Sequence, residues 1–415
     1  MICGVHNGGV ANPTLLRVVV LDPTLDEWAS QRGRGGRPSA LPRRRKLWAR
    51  RAPPGPHAFS WPSILGAAGV PHRVVTDPAA DDGGGLLILP DPDAAPDAAA
   101  RALELQRPLL TGPPPPRPSQ ALACVRDALG ALARPDLRGV MLLRLDDPGG
   151  ASGTYLRGWA HPPVPGPTWD ALWARVKEFG RLSVFCSAGW VTEDGQVVPS
   201  RDARPELWAA LDDGVSAGVA DLECHGYTHL HPDTTAWAAA PDRFDSDSWY
   251  REMWPPLDPV EPAVESQEAI IAAWQAACGA GTTLVAPGEA WGPNTVQAAR
   301  HRGLELFNSW GVCRLQLAVP TWSAGISSYD LCAAPTGAFA DGLPQVAYWH
   351  DRDLALEGPT WFAEQLGAWR DVGATRGWAF ADLARAYRVP IDAALVDGDV
   401  VVRSGPDVPL LIEAR

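Results

Sequence analysis

The chain contains no run of about 18 or more apolar residues, so nothing in it is long enough to cross a bilayer as a helix. It does not open on a basic segment followed by an apolar stretch, so no secretory leader is expected. Cysteine is sparse and unpatterned. Cys3, Cys124, Cys186, Cys224, Cys278, Cys313 and Cys332 make an odd number and are never spaced Cys-x-x-Cys. That argues against both a disulfide framework and a thiolate zinc site, and a reducing cytoplasm suits such cysteines. Positive charge is in deficit, with 36 Lys and Arg against 48 Asp and Glu and a formal net charge of −12. A field of that sign works against nucleic acid and anionic lipid, so neither is expected as a partner. The exception is residues 32–51, with Arg43-Arg44-Arg45-Lys46 and Arg50-Arg51, which read as a solvated loop.

What is present is ample apolar material. Of 415 residues, 46% are hydrophobic and 20% charged, more than one core needs, so two domains are expected. Nineteen tryptophans are unusual for this length. Most belong in cores, but several lie in loop-like stretches, and flat aromatics at a pocket rim suit the apolar faces of sugars.

Residues 1–107 alternate short apolar runs (15–21, 72–75, 86–90) with helix-like segments (59–68, 96–106), as a small parallel α/β layer does. The run Leu86-Leu87-Ile88-Leu89-Pro90-Asp91 resembles the central strand of glutamine-amidotransferase-like domains, but no cysteine follows it on a sharp turn, so no catalysis is carried over. Residues 31–56 read as a long loop or insertion. Residues 108–120, with Pro113-Pro114-Pro115-Pro116, read as a semi-rigid linker. From 121 to 390 the alternation is regular. Strand-like runs at 139–145, 182–186, 219–224, 283–286, 304–307, 346–349 and 377–380 are separated by amphipathic segments. About seven βα units match a deformed (β/α)7-type barrel better than an open sheet. The tail, 391–415, carries Asp397-Gly398 between apolar runs, a hairpin signal, and reads as a short β appendage.

Polar residues cluster at the ends of the barrel runs. Arg144-Leu145-Asp146-Asp147 closes the first, Glu223-Cys224-His225-Gly226-Tyr227-Thr228-His229 the third, and Trp349-His350-Asp351 the sixth. All strand C-terminal ends of such a barrel open onto one face, where active sites gather. Imidazole and carboxylate are the donors a divalent ion such as zinc takes, and a catalytic site uses three of them. His225 and His229 share a side if the turn after the strand is helical, and one carboxylate of the first strand completes the set. Alone, an Asp-Asp pair at a strand end is commonly a turn or cap, and a His pair four apart is commonly surface. Their coincidence on one barrel is what points to a metal. His231 is assigned to structure.

The ordered set resembles the polysaccharide deacetylases (carbohydrate esterase family 4, the NodB-homology domain). Asp146-Asp147-Pro148-Gly149 is similar to their Asp-Asp-Gly motif, and His225-Gly226-Tyr227-Thr228-His229 to their His-Ser/Thr-x-x-His motif. Ala286-Pro287-Gly288 is similar to the core of their third motif, and His350 to their Leu-x-His. The resemblance implies Asp147, His225 and His229 as ligands of one divalent metal ion, zinc foremost. It implies Asp146 as the general base, His350 as the general acid, and an N-acetyl sugar, small or oligomeric, as substrate. Pro287, Gly288 and Trp291, with Glu289, are expected near the mouth. The chain departs from the pattern in three places. Val285 stands where the family's third motif has the Arg that pairs with the base; Arg144, on the same strand face as Asp146, is expected to supply that charge. Gly226 replaces the motif's hydroxyl residue, leaving Thr228 to provide one. The acid that pairs with the catalytic His is not placed, with Asp351 and Asp353 as candidates. The Trp- and Pro-rich stretch 237–262 reads as a lid or substrate wall. Two other readings stay open: a metal-dependent amidohydrolase acting on a non-sugar amide, and a non-catalytic carbohydrate-binding barrel.

Overall fold

Runs that are apolar on both faces become parallel strands sandwiched between layers. The computed structural model describes residues 14–23, 60–83, 85–149, 161–235, 239, 251–255, 260–317 and 320–415; the basic stretch 32–51 lies outside them. The described residues fall into two units. In the first, β1 is Thr14–Leu15, β2 Val18–Leu21, β3 His72–Val75, β4 Leu86–Leu89 and β5 Leu109–Thr111. The sheet order is β3-β2-β4-β5, all parallel. Every residue of β2 and β4 is buried. The helix Trp61–Ala68 starts at Ser60, whose hydroxyl accepts from Ser63 N, and stops at Gly69. Gly69 has φ +68°, and a Cβ there would lie 2.8 Å from Pro135, so glycine is required twice over.

The stretch expected as a linker lies inside this unit. Leu109–Thr111 pairs with β4, and Pro118 is the first residue of the helix Pro118–Leu129, where its missing N–H costs nothing. The four prolines span only the bend between strand and helix. The helix ends at Gly130, φ +83°, and β6, Ala131–Pro135, follows.

The second unit begins at Leu137 and ends at Ala384. Its strands are β7 Val140–Asp146, β8 Leu182–Cys186, β9 Gly189–Val191, β10 Val197–Pro199, β11 Ala220–Cys224, β12 Thr283–Val285, β13 Leu306–Asn308, β14 Gly311–Arg314, β15 Thr321–Asp330, β16 Gln345–His350 and β17 Arg376–Trp378. A ring runs β7-β8-β11-β12-β13-β14-β15-β16 and closes by parallel pairing of β16 with β7. This is an α/β fold with a closed eight-strand barrel. Only β14 runs against its neighbours. β17 supplies the deformation. It pairs with β7 at Val140–Leu142, while β7 pairs with β8 only from Arg144 to Asp146. The last strand thus wedges into the seam at the N-terminal ends, where Gly180 bridges Gly377. A Cβ on Gly180 would run into the Gly377 carbonyl.

Alternation decides what faces the barrel interior. Met141, Leu143 and Leu145 of β7 pack in the layer with Trp169, Leu172 and Val176 of the helix Gly166–Phe179. Ala347 and Trp349 of β16 join the same layer. Arg144 and Asp146, and likewise Tyr348 and His350, therefore face inward. Among the described residues no helix is long and apolar enough to cross a membrane.

The tail returns to the first unit. β18 Asp392–Val396 and β19 Asp399–Ser404 form the expected hairpin, with both turn residues, Asp397 and Gly398, at positive φ (51° and 91°). However, β18 pairs with β1, and β20, Leu410–Ala414, pairs with β6. The C-terminal strands are therefore part of the first unit's sheets rather than a separate appendage.

Candidate metal centre

Three strand ends deliver the side chains. After β7 the chain turns sharply at Asp147, which has φ +54° and donates its N–H to the Phe185 carbonyl at 3.1 Å. After β11 His225 continues the ladder (N–H to Cys186 O, 3.3 Å), then the chain curls through Gly226 at φ +72° and His229 at φ +66°. Non-glycine residues at positive φ cost roughly 1–3 kcal/mol and persist where the surroundings impose them. Two of the five among the described residues are Asp147 and His229.

The curl brings together the three residues expected to bind a metal. One ligand atom from each of Asp147, His225 and His229 lies within 4.8 Å of the others. Asp147 Oδ1 is 3.1 Å from His225 Nε2 and 3.3 Å from His229 Nε2, and Asp147 Oδ2 is 3.8 Å from His350 Nε2. His225 Nδ1 lies 2.8 Å from the Val285 carbonyl. A carbonyl only accepts, so Nδ1 carries a proton, and Nε2, on the Asp147 side, is the nitrogen that the neutral ring would offer to a metal. Burial pushes the Asp147 carboxyl up, but the imidazoles of His229 and His225 outweigh it and hold it well below the usual carboxylate range. Burial lowers His225, yet Asp147 beside it raises it overall. His229 is pushed down to about 4, burial prevailing over the pull of Asp147. A buried carboxylate facing two imidazole nitrogens favours positive charge between them. Two imidazole nitrogens and one carboxylate oxygen, with one ring fixed by an outer carbonyl, fit a divalent ion such as zinc.

The four-residue spacing of the histidines does not come from a helix, as expected, because residues 225–230 are irregular. Glu252 holds them. Its buried carboxylate accepts from Tyr227 N (2.8 Å), Thr228 N (3.1 Å), His229 N (3.0 Å) and Thr228 Oγ1 (3.0 Å). Burial raises its pKa to about 7 against those hydrogen bonds. Gly226 follows from the same contact, since a Cβ there would collide with Glu252 Oε2 and lie 2.8 Å from Pro287. This is why the motif's hydroxyl residue is absent. Thr228 does not replace it in the site, because its hydroxyl is committed to Glu252 and the Leu230 carbonyl. Sequence reasoning missed Glu252. It is one of six acids in the stretch expected as a lid, most of which lies outside the described residues, and no local pattern marks it.

Arg144 lies against Asp146. Nε donates to Asp146 Oδ1 (2.8 Å) and Nη2 pairs with Oδ2 (2.6 Å), a two-pronged contact with both side chains 4% exposed. Nη1 donates to Asn308 Oδ1 at 2.7 Å and Nη2 to Glu289 Oε1 at 3.3 Å. The guanidinium also lies 5.2 Å from the Tyr348 ring centre. Burial alone would lower its pKa, but Asp146 and Glu289 more than offset this and raise it. Val285 contributes its carbonyl to His225 instead of a charge.

The remaining expectations divide. Pro287 is buried against Gly226, and Gly288 turns the chain at φ +60°. Glu289, at φ +54°, reaches Arg144 and accepts from Ser309 Oγ. Trp291 is not at the mouth. It is 5% exposed, stacked edge-on to Phe307, and its indole N–H donates to Ser309 Oγ. Asp351 accepts from Gly149 N (2.6 Å) and faces His161 Nε2 (3.3 Å), while Asp353 accepts from the His350 backbone N–H. Beside Asp147 opens a hollow lined by Ser187, Trp190, Ser200, Arg204 and Leu207.

No protein-family model matches the chain, and no curated protein does. Solved structures similar to it include a mutant of a family 4 carbohydrate esterase pseudoenzyme with restored enzymatic activity (10% identity, 60% of this chain and 68% of that one, TM-score 0.32). Another is a family 4 carbohydrate esterase from Streptomyces lividans in complex with acetate (14%, 56% and 88%, 0.28). A third, from Mycobacterium smegmatis, is assigned as a polysaccharide deacetylase (12%, 61% and 93%, 0.39). Likeness at this level leaves the chemistry of the centre to its own side chains.

Proposed function

We propose that this protein is a metal-dependent hydrolase that removes an N-acyl group, foremost acetyl, from an amino sugar or glycoside. One observation carries the reading: Asp147, His225 and His229 converge at a barrel mouth, beside an inward-facing Asp146 held by Arg144 and with His350 across from Asp147.

Asp147, His225 and His229 would hold the ion, zinc foremost. When bound, it supplies Lewis acidity that acidifies water and polarises an acyl carbonyl. Asp146 takes the proton of the attacking water. Arg144 grips both its oxygens, fixing the carboxylate's orientation. The Val285 carbonyl keeps the His225 ring proton on Nδ1, away from the ligand face. His350 has a side chain 23% exposed, the most accessible of the set, and donates a proton to the departing amine nitrogen. The free cysteines suit a reducing compartment, so the substrate is proposed to be met in the cytoplasm.

Burial of Trp291 removes one aromatic wall expected to stack on sugar, which favours a non-sugar amide as the second reading. The test is acetate release by zinc-loaded protein from N-acetylglucosamine and its oligomers, against a panel of simple N-acetyl amines and amino acids. Preference for the sugars supports the proposal, and preference for the plain amides moves the activity to the second reading. No release from any of them, with zinc bound, ends both.

A further inference from the structure

We propose that the hollow beside Asp147 is a subsite for an anionic substituent of the substrate, a carboxylate or phosphate ester, read by Arg204. The inference rests on the hydrolase reading of the adjoining centre and adds a substrate class to it.

Two arginines of the same local sequence make the contrast. Arg201 stacks on Trp208, its guanidinium carbon 4.3 Å from the ring centre, and is neutralised by Asp212 through two contacts of 2.7 and 3.0 Å. Arg204 stacks on Trp190 in the same manner, at 4.2 Å. Among the described residues no carboxylate pairs with it. Three buried or half-buried arginines of this acidic protein have acids: Arg144 has Asp146, Arg181 has Asp221 and Asp382, and Arg107 has Asp81. An arginine whose one face is covered by indole, with no acid paired to it among the described residues and lining a hollow beside the candidate centre, is built to receive an anion from outside. The stack occupies the face of the guanidinium and leaves its N–H edges for a planar or tetrahedral oxyanion.

The backbone around Arg204 is fixed. Its N–H donates to the Ser200 carbonyl at 2.9 Å and its carbonyl accepts from Trp208 N at 3.2 Å, while Trp190 sits in the β9–β10 hairpin. The hydroxyls lining the hollow are engaged in the frame: Ser187 Oγ donates to the His225 carbonyl (3.1 Å) and Ser200 Oγ accepts from Trp208 Nε1 (3.0 Å). The acid in the lining, Asp147, belongs to the metal-ligand set. Arg204 is therefore the lining group with charge to offer.

The test measures kcat/KM for acetate release by the zinc-loaded protein from three probes: N-acetylglucosamine, its 6-phosphate, and N-acetylmuramic acid, which carries a carboxylate. A charge-assisted contact predicts at least one acidic probe favoured over the neutral one by about tenfold to hundredfold, and which one it is separates phosphate from carboxylate. Arg204→Gln should bring that ratio to about one, and Arg204→Lys, which keeps charge without the fork, should retain part of it. A wild-type ratio near one for both acidic probes, or an unchanged ratio in the folded Gln variant, overturns the proposal. If no probe is turned over, the hydrolase reading fails separately, and calorimetric binding of the same three sugars decides the subsite. Tighter binding of an acidic sugar to wild type, lost in Arg204→Gln or reduced in Arg204→Lys should the former not fold, sustains it; equal binding of all three ends it.

Discussion

Truncating Glu252 to alanine takes away the carboxylate on which the N–H groups of Tyr227, Thr228 and His229 converge. Each buried donor left dry costs roughly 1–3 kcal/mol, so three set an upper bound near ~9 kcal/mol. Water entering the space left by the side chain recovers much of that. What water does not restore is the curl that carries His229 at positive φ toward Asp147. Losses of a group that orients a metal ligand run to about 10–100-fold in metal affinity, or about 1.4–2.8 kcal/mol, and that range is expected for zinc binding by Glu252→Ala. Glu252→Gln is the informative control. An amide oxygen in place of Oε2 still accepts from Tyr227 and His229, and its NH2 faces the Thr228 hydroxyl, which accepts. Its zinc affinity should stay within about threefold of wild type by this hydrogen-bond count. The assay is a competition titration against a chelator of known affinity, with melting curves to verify that each variant is folded. A folded Glu252→Ala protein that binds zinc as tightly as wild type refutes the claim that Glu252 positions the ligand loop.

Three further outcomes follow from the same contacts. Arg144→Ala strands a buried carboxylate and should cost about 3–5 kcal/mol in urea unfolding, part of which Asp146→Asn in the same chain restores; a single variant no less stable than the double would show that the pair is not coupled. Chelation should abolish hydrolysis and zinc restore it, and zinc at ~1,000 times its Kd should add about 4 kcal/mol to unfolding; His229→Ala should lose that gain, and a melting temperature indifferent to zinc in wild type would contradict the centre. Burial raises the Glu223 carboxyl to about 7 against hydrogen bonds from Thr282 and Thr283. Its folded pKa lies above its unfolded value of about 4.3, so the folded state holds the extra proton. The stability it contributes is complete below the unfolded value and is lost as pH rises through 7. Urea unfolding from pH 4.5 to 8 should therefore flatten in Glu223→Gln, and an unchanged slope would remove Glu223 as its source.

Much of the barrel is legible in the sequence because parallel strands buried on both faces are written as unbroken apolar runs. β7 opens on the run Val140-Met141-Leu142-Leu143 and β8 is apolar but for Ser183, and the polar residues that end β7, β11 and β16 stand out against them. β14 and β15 are not legible. Gly311–Arg314 is too short, and Thr321–Asp330 mixes Ser, Gly and Trp with a half-buried pattern and no helix between it and its partner. The proline run misleads because composition does not separate a linker from a bend between a strand and a helix. Trp291 misleads because an indole that packs against Phe307 and one that lines a pocket look alike in sequence. The four-residue gap between His225 and His229 fits a helical turn and a braced curl equally well, and the residue that decides, Glu252, lies 23 positions beyond His229.

Arg144 shows how a charge can be supplied from a different place with the same effect. A cation on β12, where Val285 sits, would reach Asp146 only if the register of three intervening strand pairs held it there. An arginine two residues before Asp146 on β7 is set on the correct face by the pleat alone, so its pairing with Asp146 survives any small shift between strands. β7 thus carries the ion-paired base candidate and, one residue on, the carboxylate of the ligand set; the neighbouring ends of β11 and β16 add only imidazoles. The Val285 position at β12 contributes what a backbone can, the carbonyl that fixes the His225 tautomer. Arg144 also takes Glu289 and Asn308 as its further partners in the barrel interior. That places two acids around one guanidinium, with burial raising Glu289 and Arg144 drawing it down, so the arginine's charge is shared, and Asp146, gripped at both oxygens, takes the larger part.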